Sequence, residues 1–421
     1  MAVPLYLTTL IASAGSVVNT VLLGRQATAS LAAFAVAMAV YGPVVATVTG
    51  VMRGVMPFVS RDGPAAIFGS ALWLSYGVGV IGAVVVASVP AIGAISGVAR
   101  PVLDRLGLLP VILAVAVLAQ SVGASASSTL VMLGRSRVVL RSGLAGTSAA
   151  VLLSVAAVPR LGADGAGLAI LTSTIAYAAQ VQLALRRATG LNRTVVPGPF
   201  DRRLIMRLAG TGLPMAGTVL VKFVVLGVLT FAAARLGTAQ AAVHGVAETL
   251  VNLIFAVAVA VGQAVVPLVG RAAAGADAHA VRRSLRAGVV IAMVVVGALA
   301  GLLVAGGRWI LPVFTADPAI RAQLAALLPL VALVVLTDAI QAVYGFGMLG
   351  LRNTVPSLVS TAVVFGALCL AAVPVADAGG LLALWSALAC ANILQAGSKA
   401  VLFARQVNRW RERAAVGMMA E

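Results

Sequence analysis

The sequence predicts an all-α polytopic membrane protein with twelve transmembrane helices in two six-helix lobes. Three observations predict it: the composition, the recurrence of apolar runs, and an echo of the first half in the second. Of 421 residues, 62% are hydrophobic and 10% charged, and the mean hydropathy is +1.11. Soluble domains carry about 25% charged residues. So few charges cannot solvate a globular surface, which excludes a soluble enzyme, and a disordered chain needs the opposite balance. Apolar runs of roughly 20 residues match the thickness of a bilayer. Long Ala/Val/Leu runs satisfy their backbone groups in lipid as helices rather than as barrel strands.

Reading apolar runs between charged or Gly/Pro-rich breaks places the spans at 2–23, 30–59, 65–90, 108–133, 138–158, 163–187, 205–234, 239–270, 284–306, 320–350, 354–375 and 378–407. The first run starts at Ala2 with no charged segment before it and is long enough to span, so no cleavable signal peptide is expected. The net charge of +18 does not point to nucleic acid, because the basic residues sit in the short gaps between runs. There they act as topology signals. With the N-terminus inside, alternate gaps hold twenty arginines inside and seven outside (Arg25, Arg100, Arg105, Arg160, Arg235, Arg308 and Arg321). That bias predicts a multi-pass protein of the cell membrane with both termini cytoplasmic. Cys369 and Cys390 lie within apolar runs and have neither a disulfide pattern nor metal-ligand spacing. No cofactor, metal site, phosphate-binding loop or nucleophile–base constellation is legible, so neither an enzyme nor a nucleotide-driven pump is expected.

The longest inside gap holds Gly190, Pro197, Gly198 and Pro199 near the middle of the chain. It reads as a cytoplasmic linker, 191–204, between an N-terminal lobe, 1–190, and a C-terminal lobe with a short tail, 205–421. A shift of 210 positions lays Pro4 on Pro214, Ala32 on Ala242, Pro57 on Pro267 and Arg61 on Arg271. At a shift of 216, Met132-Leu133-Gly134 falls on Met348-Leu349-Gly350. An even number of spans per repeat gives both lobes the same orientation, an arrangement found in secondary transporters.

Several stretches resemble the multidrug and toxic compound extrusion (MATE) family. They are Val3-Pro4-Leu5 through Asn19 to Gly24-Arg25, then Gly212-Leu213-Pro214, Ala241-Ala242-Val243-His244, Val265-Val266-Pro267-Leu268-Val269-Gly270, and Asp338-Ala339-Ile340-Gln341 followed by Gly350-Leu351-Arg352-Asn353-Thr354. The resemblance covers essentially the whole chain. It implies two lobes around a central cleft and multidrug efflux by antiport, exporting organic, often cationic, compounds against H⁺ or Na⁺. Family members often carry an acidic residue in the first span where this chain has Asn19. The NorM-like branch carries a Glu in the seventh span, at the position of Lys222 here. The fifth-span carboxylates of the DinF-like branch are absent, Ser148 and Ser154 being the only polar residues of 148–157. The acid of the tenth span is present as Asp338.

Of the eleven acidic residues, Glu248 and Asp338 lie deep in apolar runs, and Lys222 is one of only two lysines. Each charge at a bilayer centre costs about 2.5–3.5 kcal/mol on insertion scales. Lys222, Glu248 and Asp338 are therefore read as an ion-coupling group, with Lys222 facing Asp338 first and Glu248 second. Burial favours the protonated acid and a nearby ammonium favours the carboxylate, so Asp338 suits proton exchange. A Lys at 222 occupies the place of a bound Na⁺, which makes H⁺ the expected coupling ion. The bland alternative is a fixed pair that locks helices together.

Glu248 and Asn252 share one helical face, Asp338, Gln341 and Tyr344 another, and Asn392, Gln395 and Lys399 a third. All three stripes are expected to face the bundle interior, with Asn19, Asn252, Gln341, Tyr344, Asn392 and Gln395 as candidate substrate contacts. Interhelical hydrogen bonding is the competing reading. Tyr344 is the candidate cleft ring for a cation. Lys399, near the inside end of its span, reads as snorkelling, Arg53 as a topology charge and His244 as structural.

The leading function is a proton-coupled exporter of a small organic compound, a monomer in the bilayer. The alternatives are a flippase of a lipid-linked precursor and a non-transporting sensor or scaffold. Twelve spans and one clear mid-membrane cation argue against the first. Charges kept in lipid by one half argue against the second.

Overall fold

The computed structural model describes residues 3–8, 18–19, 22–23, 28–95, 100–190, 198–315 and 317–419, and those residues contain no strand. Most of the first span, Arg25, linker residues 191–197 and Glu421 lie outside them. Among the described residues ten helices are long and apolar enough to cross a membrane. The last, Val355–Met419, breaks at Gly380 (φ 65°, ψ −160°) into the eleventh and twelfth spans. With the first span this is the twelve-helix, two-lobe layout.

The chain divides by packing into Val3–Ala216 and Gly217–Glu421. This division falls inside the seventh span, Arg202–Arg235, and not in the linker. On the first-unit side of this boundary lies a glycine seam: a Cβ on Gly54 would overlap the Gly212 backbone, and one on Gly212 would overlap Val51 O. The start of the seventh span is thereby held to the second span.

In the first unit the second span covers Ser30–Val59, the bounds expected. Within it the helix Thr28–Arg53 gives way to a turn at Gly54–Val55 and resumes as Met56–Asp62. Pro57 stands at the second helix's first turn, where its missing N–H costs nothing. The third span, Pro64–Ala87, is followed by a separate short helix, Val89–Ile95, where one run to 90 was expected. The fourth span, Leu109–Met132, is the most deeply buried, with Leu109, Leu113 and Val117 packed among Leu23, Phe34 and Tyr41. The fifth and sixth spans are Ser136–Leu161 and Ala163–Thr189. Small residues let these helices approach, as at Gly123 on Ala178 and Gly146 on Ser173.

In the second unit the eighth span, Thr238–Ala274, is the most buried. Around it stand the ninth, Ala278–Ala305, and the tenth, Pro318–Gly350. A Cβ on Gly262 would overlap the Phe346 ring, and one on Gly288 would overlap Val265, so glycines set these crossings too. The helix after Gly380 runs on to Met419, past the expected end at 407. Pairs join residues predicted on the same side: Arg235 with Asp377 at 3.5 Å, and Arg282 with Asn408.

The repeat is visible at the ends of the fourth and tenth spans. Leu133 N–H donates to Thr129 O as Leu351 N–H does to Gly347 O, and Arg135 N–H donates to Leu130 O as Asn353 N–H does to Met348 O. Gly134 (φ 79°) and Arg352 (φ 59°) then leave in the left-handed region. The structural register of this turn is a shift of 218, two more than the Met-Leu-Gly echo.

Candidate functional site

The second unit holds a chain of polar side chains between its helices. Lys222 of the seventh span and Asp338 of the tenth form an ion pair, Nζ to Oδ2, at 2.7 Å. Asp338 is 1% exposed, so lipid or protein replaces water around its carboxylate, and the ammonium compensates the charge. The Lys222 ammonium also lies over the ring of Phe255, 3.5 Å from the centroid. That contact adds cation–π attraction to the ion pair.

Gln341, one helical turn after Asp338, donates from Nε2 to Asp338 Oδ1 and to Asn392 Oδ1 of the twelfth span at 3.0 Å. Lys399, also of the twelfth span, donates to Gln341 Oε1 at 3.1 Å. Asp338 thus has both oxygens engaged, and Gln341 joins two helices through its two ends. Gln341, Asn392 and Lys399 are all buried. The snorkelling expected of Lys399 is not observed, because its ammonium turns inward to the glutamine instead of reaching the interface.

Glu248 does not join this group. Its Oε2 accepts from Thr230 Oγ1 at 3.4 Å and lies 3.7 Å from His244 Nε2, and its carboxylate also accepts from Asn252. His244 packs edge-on against Trp385 at 5.7 Å. The four-residue spacing that put Glu248 and Asn252 on one face holds, with Glu248 half-buried and Asn252 exposed.

The remaining candidates separate. Gln395 donates to Ser360 O at 3.2 Å and accepts from Thr361 Oγ1 at 3.4 Å. It therefore ties the eleventh span to the twelfth and takes no part in the Asp338 group. The half-buried Tyr344 ring stacks edge-on against Phe403 at 5.8 Å. Asn19 is buried and accepts from Ser154 Oγ at 2.6 Å, joining two helices of the first unit. Arg53 is half-buried and beside Tyr177, which hydrogen-bonds Ser127. Among the described residues no three of His, Cys, Asp and Glu come together as a metal site.

Sequence reasoning missed Phe255 and the inward turn of Lys399. Phe255 follows Asn252 by one helical turn, which was the available signal. Lys399 is the second of two lysines in a chain that otherwise uses arginine, and that rarity marked it as it marked Lys222.

Fold and buried pair together define an all-helical, two-lobed polytopic membrane protein that holds charge inside its second lobe. Residues 214–373 match the MatE family model. A probable multidrug resistance protein NorM of Aromatoleum aromaticum is 28% identical over 396 residues, covering 87% of this chain and 83% of that one. A MATE transporter solved in the straight conformation superposes with a TM-score of 0.88 at 16% identity, over 98% of this chain and 96% of that one. A transporter of the MOP superfamily from Pyrococcus furiosus, described as having a binding pocket of reverse polarity, superposes at 0.86 with 14% identity, over 98% and 95%. The chain is thus similar to multidrug and toxic compound extrusion transporters in its fold and, over residues 214–373, in its family model, and its relatives support a transporter that exports compounds.

Proposed function

We propose that the chain is a secondary active antiporter that moves a small organic compound, cationic or amphipathic, out of the cell in exchange for protons. It works by alternating access between its two lobes, as a monomer in the cell membrane with both termini cytoplasmic. The observation that carries this reading is the Lys222–Asp338 pair at 2.7 Å on a buried carboxylate. A proton arriving at Asp338 removes the charge that Lys222 neutralises. The ammonium then loses its partner, and the seventh and tenth spans lose the bond that ties them.

Proton coupling is favoured over sodium coupling by the same geometry. A hard cation needs several oxygen ligands. Here Lys222 takes Oδ2 and Gln341 takes Oδ1, so a sodium ion would have to displace both. Glu248, with Thr230 and His244, is a second titratable position in the same lobe. Asn19, Asn252, Gln341, Tyr344, Asn392 and Gln395 remain the polar residues from which substrate contacts are to be sought. Gln341 and Asn392 come first, because they contact the coupling group.

Reconstituted vesicles test the reading. An imposed pH gradient should drive ethidium transport equally with and without Na⁺, and Asp338→Asn should abolish it in protein that still folds. Wild-type transport by Asp338→Asn, or a strict requirement for Na⁺, would overturn the proposal.

A further inference from the structure

Away from the charged group, the second unit has a cavity of about 450 Å³ where the ninth span gives way to the tenth. After the ninth span ends at Ala305 the chain turns at Gly306 and forms a short helix, Gly307–Phe314. Gly307 and Leu311 are buried on one side of this helix, while Trp309, Val313 and Phe314 are exposed on the other. A helix that shows large apolar side chains at the end of a membrane span belongs in the interface, where tryptophan is enriched.

Two arginines, Arg308 and Arg321, line the cavity, and the other lining residues, including Leu311, Pro312, Leu328 and Pro329, are apolar or glycine. Arg308 is stacked on Trp309, its guanidinium carbon 3.8 Å from the ring centroid, which holds its planar face in one direction. Asp317, next to the lining residue Pro318, uses Oδ1 for the N-terminal cap of the tenth span, accepting from Ala319 N–H at 2.8 Å and Ile320 N–H at 3.4 Å. No carboxylate is among the lining residues.

We propose that this cavity is a binding site for an anionic phospholipid. The two guanidiniums receive the headgroup phosphate, and the Leu/Pro wall receives the first part of an acyl chain. Arginine suits the phosphate because its fork makes paired, charge-assisted hydrogen bonds. The apolar wall is what selects a lipid over a soluble phosphate, which would gain nothing from Leu311, Pro312 or Leu328. The position is at the end of the lobe that the arginine count assigns to the outside. A bound lipid there would bridge the ninth and tenth spans, and the tenth carries Asp338.

Native mass spectrometry of the full chain in detergent tests this, with titration of phosphatidylglycerol, phosphatidylcholine and inorganic phosphate. Phosphatidylglycerol should bind in preference to phosphatidylcholine, and R308Q/R321Q should weaken it by about tenfold, the order expected for losing charge-assisted hydrogen bonds. R308Q alone, whose side chain is exposed, should weaken it by a smaller but measurable factor. A thermal melt shows that each variant is folded. Equal retention of the two lipids, wild-type affinity in R308Q, or displacement of the lipid by equimolar inorganic phosphate would overturn the proposal, the last by making a soluble anion the ligand.

Discussion

Removing one member of the Lys222–Asp338 pair should cost more stability than removing both. At 2.7 Å and an effective dielectric of 20, the gross attraction is about 6 kcal/mol. Most of this is offset by the desolvation of the two charges, so the pair's net worth is far smaller. The asymmetry appears when one charge is stranded. Asp338→Asn leaves the Lys222 ammonium without a counter-charge, with only an amide and the Phe255 ring beside it, and Lys222→Met leaves a carboxylate that is 1% exposed with Gln341 and the more distant Lys399. Stranding a buried charge costs about 3–5 kcal/mol. The Lys222 side chain is 23% exposed, so water relieves part of its cost. Asp338→Asn should therefore fall at or below about 3 kcal/mol and Lys222→Met higher in the range. The double variant should recover to within about 1 kcal/mol of wild type. Reversible unfolding in mixed micelles across the four proteins measures the cycle. A double variant no more stable than the weaker single would refute the claim that the two groups compensate each other. Transport separates from stability in the same set, because the double variant should fold well and still fail to couple.

Three further outcomes follow from the packing. Gly54→Ala places a methyl group on the Gly212 backbone and should lower stability by roughly 1–3 kcal/mol, the usual cost of overpacking, read as a lower melting temperature. Gln341→Leu removes the partner of Asp338, Asn392 and Lys399 together and should impair transport and stability. Gln395→Leu removes only contacts to the eleventh span and should cost about 0.6–2 kcal/mol with coupling intact. A comparable coupling defect in the two would show that the Asp338 group is not special. A single cysteine at 198, with Cys369 and Cys390 replaced, should react with an impermeant maleimide only from the cytoplasmic side, and labelling from outside alone would invert the topology.

The twelve spans and their division into two sets of six were legible in the amino-acid sequence. Lipid allows only fully paired backbone, so length and apolarity alone dictate helices. The same logic marked Lys222 and Asp338, because few charges survive in lipid without a partner. The tertiary structure decided what depends on distance between helices. Helical periodicity tells which residues share a face but not which way that face turns. Asn252 therefore sits on the same stripe as Glu248 and yet is exposed, and Gln395 shares the stripe of Asn392 and yet hydrogen-bonds another span. The break at Gly54, the packing boundary at Ala216 and Gly217, and the inward turn of Lys399 all rest on close contacts between helices remote in the chain. Glycine leaves such contacts room, and the sequence shows the glycine but not the neighbour that fills the space.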